Sequence, residues 1–158
     1  MKLYLAGPDV FAPDAPARFT AMRDACRTAG FTPLTPVDNA LPSDLSGAAL
    51  AAHIKRENVA LLNACDAVVA HIAAFRGPNM DPGTAWEIGY AEALGKPVFL
   101  WMSDTRTLAE RTPGANGKDG DGWMIEDFGL AENLMIGVSA YPVADSFEAA
   151  LRLIRRSA

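Results

Sequence analysis

Two carboxylates stand at the start of one apolar segment. In DPGTAWEIGYAEALGK, residues 81–96, Asp81 precedes a Pro-Gly pair, and Glu87 falls further along among Ala85, Trp86, Ile88 and Ala91. The segment otherwise has the outline of an amphipathic helix packed on a core. Carboxylates are rarely buried without a partner, so this placement needs a reason. A structural reason exists for each: Asp81 can cap the helix by accepting backbone N–H bonds, and Glu87 can form a salt bridge on a partly solvated face. The chemical reason is that the positive end of the helix dipole favours an ionised carboxylate by roughly 0.3–1 kcal/mol and points Glu87 outward from the helix mouth. Tyr4 alternates with Leu3 and Leu5. It is either ordinary core or a phenol that hydrogen-bonds a catalytic acid. Asp66, just before the apolar run 67–72, has a structural reading as a mere turn residue. Taken as chemistry, a carboxylate with a second acid nearby and no metal-ligand spacing suits glycosyl transfer better than hydride or phosphoryl transfer. Negative charge beneath an anomeric carbon stabilises an oxocarbenium-like transition state, and a retaining enzyme uses that same carboxylate as nucleophile.

The elements that must carry these residues alternate between strand and helix. KLYLA at 2–6 is a short apolar strand closed by Gly7-Pro8, and 15–29 has helical spacing that ends at Gly30. FTPLTP is a weak second strand, and a helix follows at 48–64. AVVAHI at 67–72 and PVFLWM at 97–102 are apolar on both faces, as in a parallel sheet, with the helix of 83–94 between them. Residues 103–127 have little periodicity and form an irregular connection. The end reads as a short element at 133–136, a weak strand near Val138 and a last helix opened by Asp145 and Glu148 in capping-box spacing. This rhythm predicts a single domain over 1–158, a flavodoxin-like or Rossmann-like three-layer α/β sandwich on a mostly parallel five-stranded sheet. Such sheets bind ligands beyond the carboxyl ends of their strands. Gly7 to Phe11, the loop 73–81 and the first turn of the 83–94 helix then share one crevice.

Composition narrows the ligand. The chain has 158 residues, 50% hydrophobic, and a net charge of -5. That suits one well-packed core and argues against a phosphate-backbone binder, so no nucleic-acid partner is expected. YLAGPDVF is neither a GxGxxG nor a Walker loop, which leaves dinucleotides and nucleoside triphosphates without a cradle. No metal and no cofactor is expected. Cys26 and Cys65 lie inside apolar segments and read as small core residues, while His53 and His71 read as structural or solvated. MKLYLAGP lacks the apolar run of a signal peptide and no stretch is long enough to span a bilayer, so a cytoplasmic protein with no membrane partner is expected.

Five stretches in order, YLAGPDVF, TPVDN, ENVALLNACDAVVAHI, FRGPNMDPGTAWEIGYAEALGK and FGLAENLMI, give the chain a family resemblance over almost its whole length. It resembles a nucleoside 2-deoxyribosyltransferase of the branch with an FRG loop and a D-x-G-T-A-[FW]-E-[IV]-G block. The resemblance implies a double displacement between 2′-deoxyribonucleosides and free nucleobases. In it Glu87 is the nucleophile, Tyr4 orients it, Asp81 binds sugar hydroxyls, and Asp66 matches an acid that assists the leaving base. It also implies a homo-oligomer with shared sites, in which Asn133 and Met135 reach into a neighbouring subunit. Asn58 and the Phe75-Arg76-Gly77 loop would line the base pocket, and Phe11, Phe75 and a neighbour's Met135 would shield the intermediate from water. Two other readings stand beside it. A 2′-deoxyribonucleoside 5′-monophosphate N-glycosidase would use the same glutamate with water as acceptor, but Asp81 would repel a phosphate. A non-enzymatic flavodoxin-like binding module is compatible with the fold and leaves the Tyr4, Asp81, Glu87 and Asn133 set without a purpose.

Overall fold

KLYLA and AVVAH are apolar at nearly every position, so each needs cover on both faces and neighbours on both edges. The computed structural model, which describes residues 1–157, supplies both. β1 (Lys2–Ala6) and β3 (Ala67–His71) lie side by side at the centre of a four-stranded parallel sheet of order β2-β1-β3-β4. β2 (Thr32–Leu34) and β4 (Val98–Trp101) form its edges. The period-2 alternation of the strands then sorts the core. Tyr4, Ala6, Val68, Ala70, Ile72, Val98 and Leu100 pack with Leu62 and Ile88 on one face, the face of α2 (Gly47–Ala64) and α3 (Pro82–Ala93). Leu3, Leu5, Ala67, Val69 and Phe99 pack with Cys26, Phe147 and Ile154 on the other, the face of α1 (Ala15–Thr28) and α6 (Phe147–Ser157). The three-layer sandwich is therefore as expected. Both cysteines are buried in it and unpaired.

The fifth strand is a correction. The stretch near Val138 does not pair; Val138 is the exposed end of a short helix, α5 (Leu134–Gly137). Only Ala144 reaches the edge of β4, donating to Leu100 O at 2.9 Å and accepting from Met102 N at 3.0 Å. Pro142 has no N–H to give a ladder, and α6 begins three residues after Ala144, so the pairing stops at one bridge. The start of α6 also differs from expectation. Ser146 Oγ, not Asp145, accepts from Ala149 N at 3.4 Å.

The connection 103–127 has more order than its composition suggests. Thr107 and Glu110 form a reciprocal capping box on α4 (Leu108–Arg111), the S/T-x-x-E pattern of a helix start. A two-stranded hairpin follows, β5 (Gly114–Ala115) with β6 (Lys118–Asp119). No helix among the described residues is long and apolar enough to cross a membrane.

Candidate active site

The sheet order places its switch point between β1 and β3, because the chain leaves β1 for β2 on one side and returns to β3 on the other. Ligand crevices in open α/β sheets form at that point. β1 runs there into a 3-10 turn over Pro8–Phe11, and β3 into the loop that ends at Asp81. Gly7 marks the tight spot: a Cβ there would meet His71 Cβ at 2.8 Å.

Tyr4 and Glu87 meet on the α2–α3 face. The Tyr4 hydroxyl donates to Glu87 Oε1 at 2.6 Å, a bond of the short, charge-assisted kind. Tyr4 is fully buried. Burial, followed by the neighbouring Glu87 charge, pushes its phenol well above the usual range, so it remains a donor. Burial likewise pushes the Glu87 carboxyl up to about 7; the Tyr4 bond pulls it down, and the charge of Asp81 adds to the rise. Glu87 therefore sits near its protonation midpoint at neutral pH. Its second oxygen, Oε2, has no hydrogen-bond partner among the described residues.

Asp81 is the N-cap of α3, with Thr84 N and Thr84 Oγ1 donating to Oδ2 at 2.8 and 3.0 Å. Both bonds fall on one oxygen. The cap role expected from sequence is present, and Oδ1 is left for another donor. Asn58, on α2, has its Oδ1 buried without a partner, as does Asn39 Nδ2 in the loop after β2. Buried amide atoms of this kind are rare and call for an explanation. Phe11 stacks on Phe75 with centroids 5.3 Å apart, and the Arg76 guanidinium lies over both rings, 4.6 Å from Phe75 and 5.5 Å from Phe11. Arg76 adopts φ 55°, a strained conformation for a side-chain-bearing residue, immediately before Gly77. Two loops thus bring these rings together.

Asp66 does not join this group. It lies exposed at the amino edge of the sheet, where its Oδ2 accepts from Lys2 N at 2.6 Å and its own N–H donates to Lys2 O at 2.8 Å. The length of β3 separates it from the crevice, so the acid before the strand closes the β1–β3 ladder and is not placed to protonate a base. Asn133 is the N-cap of α5: Oδ1 accepts from Met135 N at 3.0 Å, and Nδ2 donates to Glu126 at 2.8 Å. Met135 itself is exposed.

Sequence reasoning missed two polar centres. Asp9 is buried and joins His71 Nδ1 at 2.7 Å and Arg18 at 3.1 Å. Burial acts to raise its carboxyl, yet His71 and Arg18 together hold it below the usual carboxylate range. His71 stacks on Trp101 on the α1–α6 side, at a centroid distance of 3.7 Å. This centre anchors the turn that carries Phe11 from behind the sheet. The second centre is Glu132, buried with Arg111. The only sequence signal for either was an acid inside a quoted motif, Asp9 in YLAGPDVF and Glu132 in FGLAENLMI.

The buried Tyr4 and the partly buried Glu87 thus pair at the switch point of a parallel α/β sheet, with the capping acid Asp81 beside them. The nucleoside 2-deoxyribosyltransferase family matches residues 3–135, and the chain belongs to that family. A 2-deoxyribosyltransferase from Leishmania mexicana is similar in structure, with 37% identity, a TM-score of 0.83, and coverage of 98% of this chain and 97% of that one. A 2-deoxyribosyltransferase from Bacillus psychrosaccharolyticus shares 27% identity at a TM-score of 0.54, over 64% of this chain and 72% of its own. An uncharacterized protein of Schizosaccharomyces pombe is 31% identical over 155 residues, 84% of this chain and 74% of the relative. The family places the protein among enzymes that act on N-glycosyl bonds.

Proposed function

We propose that the protein moves a 2-deoxyribosyl group between nucleobases by a retaining double displacement through Glu87. The observation that carries this reading is the 2.6 Å bond from Tyr4 to Glu87, on a carboxyl that burial raises to about 7. In the first step Glu87 attacks C1′ of a 2′-deoxyribonucleoside and the C1′–N bond breaks. Its electron pair goes to the base nitrogen, which takes up a proton from solvent as the base leaves. In the second step a nitrogen of a new base attacks C1′, its N–H proton passes to solvent, and the carboxylate is released. Two inversions give retention. A 2-deoxy sugar has no electron-withdrawing 2′-hydroxyl, so charge develops at C1′ with little further help, and a placed carboxylate supplies most of what is needed.

Asp81 binds sugar hydroxyls through the oxygen its cap leaves unused. Asn58 offers its unpartnered Oδ1 to an N–H of the base, and Phe11, Phe75 and Arg76 cover the base. Asn133 and Met135 complete the site of a second copy. Asp66 has no part, given its place at the far edge of the sheet.

The test is product analysis after incubation with deoxyinosine and free adenine. Base exchange gives deoxyadenosine, and the product disappears in Glu87→Ala. Free deoxyribose without deoxyadenosine identifies a hydrolase, and the absence of both across purine and pyrimidine donors rejects the reading.

A further inference from the structure

The most deeply buried carboxylate among the described residues is not Glu87. Glu132 is 1% exposed, and the reaction above does not use it. Burying a charge is costly unless partners repay the lost hydration. Its partners come from three separate segments. Oε1 accepts from Asn79 Nδ2 at 2.7 Å and from Asn133 N at 3.0 Å. Oε2 accepts from Met80 N at 2.9 Å and faces the Arg111 guanidinium at 3.9 Å. Arg111, 3% exposed at its side chain, donates to the carbonyls of Pro78 and Ala131 and to Arg106 O at 3.3 Å. The pair therefore binds the loop that follows β3, the end of α4 and the segment before α5.

What those segments carry gives the pair its meaning. Phe75 N donates to Asn79 O at 2.8 Å, so fixing Asn79 fixes Phe75, the ring that stacks on Phe11 beneath Arg76. Met80 adjoins Asp81, the cap of α3. Asn133 begins the segment that, on the reading above, a second copy receives. One carboxylate thus holds the cover of its own subunit's site and the segment lent to the neighbour. A neutral residue of this size would fill the space, but it could not accept at all of these donors.

We propose that Glu132, held by Arg111, is a positioning residue that locks the Phe75–Asn79 loop and the Asn133–Met135 segment into one rigid unit, and so sets the fraction of the glycosyl-enzyme lost to water. The proposal rests on the base-exchange reading for its consequence, but not for its mechanical part. In Glu132→Gln, and in Asn79→Ala, which removes one exposed donor and spares the core, two readouts are expected. The amides of Met80 and of residues 133–137 exchange hydrogen faster together, while Ile88 and Ala91 in α3 keep their protection. Free deoxyribose per deoxyadenosine rises at least about fivefold, a partition that does not depend on how much enzyme is active. A merely structural role lowers total turnover and leaves that ratio within about twofold, and this result overturns the proposal. So does loosening confined to one of the two segments. If Glu132→Gln does not fold, Asn79→Ala decides both readouts. A wild-type protein that yields neither product rejects the base-exchange reading and the consequence drawn from it, while hydrogen exchange still decides the coupling.

Discussion

At the residue scale, Tyr4 and Glu87 control each other's protons. The phenol stays protonated because burial and the adjacent carboxylate oppose its ionisation, and the proton it shares draws the Glu87 carboxyl back toward its ordinary 4.5 while burial and Asp81 drive it toward about 7. On the base-exchange reading only ionised Glu87 attacks C1′, so activity is expected to fall as pH drops through the neutral range. Tyr4→Phe removes the downward influence, and the acid limb of kcat/KM therefore moves to higher pH. The maximal rate falls by roughly tenfold or more, the worth of a hydrogen bond to a charged group, 1.5–3 kcal/mol. Steady-state rates between about pH 5 and pH 9 measure both effects. A limb that moves to lower pH contradicts the assigned hydrogen bond. Tyr4 and Glu87 were legible in the sequence because each sits at a defined place on a regular element. Their distance was not, since they stand 83 residues apart.

At the element scale, the mouth of α3 carries a cap that, on the base-exchange reading, also binds the sugar. Asp81 Oδ2 accepts from Thr84 N and Thr84 Oγ1, and asparagine caps about as well as aspartate. Asp81→Asn then keeps the thermal midpoint of the wild type, whereas Asp81→Ala lowers it, the loss of a cap being about 1 kcal/mol and each kcal/mol being worth roughly 2–4 °C in a domain of this size. Both variants weaken sugar binding, raising KM for the nucleoside about tenfold or more. Asp81→Asn also removes a negative neighbour of Glu87, so its acid limb shifts to lower pH, opposite to Tyr4→Phe. Calorimetry together with steady-state kinetics separates the two roles. An Asp81→Asn protein with unchanged KM would reduce Asp81 to a cap.

At the scale of the whole molecule, exposed apolar surface supports the proposed assembly with a second copy. Trp123, Met124, Phe128, Met135 and Val138 are all strongly exposed within residues 123–138. Soluble monomers rarely leave large apolar surface uncovered. In the proposed assembly each site takes Glu87 from one subunit and Asn133 and Met135 from its neighbour. Mixing Glu87→Ala with an Asn133→Ala, Met135→Ala double variant then restores one intact site in each hybrid dimer, or about a quarter of wild-type activity at equal subunit ratio in an isologous pair. Activity no greater than the sum of the two separate variants shows that each site is complete within one chain.

The apolar periods alone determined the layers. Runs such as AVVAH demand a buried parallel strand, and a Pro-Gly pair after an acid demands a helix start, because these preferences act over a few residues. Capping and the Tyr4 and Glu87 positions follow from such local rules, whereas the aromatic loops are read from the family resemblance. Tertiary structure decided the rest. It ended the fifth strand at Ala144, set Asp66 at the wrong edge of the sheet, and joined Asp9 to His71 across 62 residues and Glu132 to Asn79 across 53. The reason is that a buried polar side chain takes its meaning from the partner it meets, and that partner is chosen by how the layers pack rather than by its neighbours in the chain.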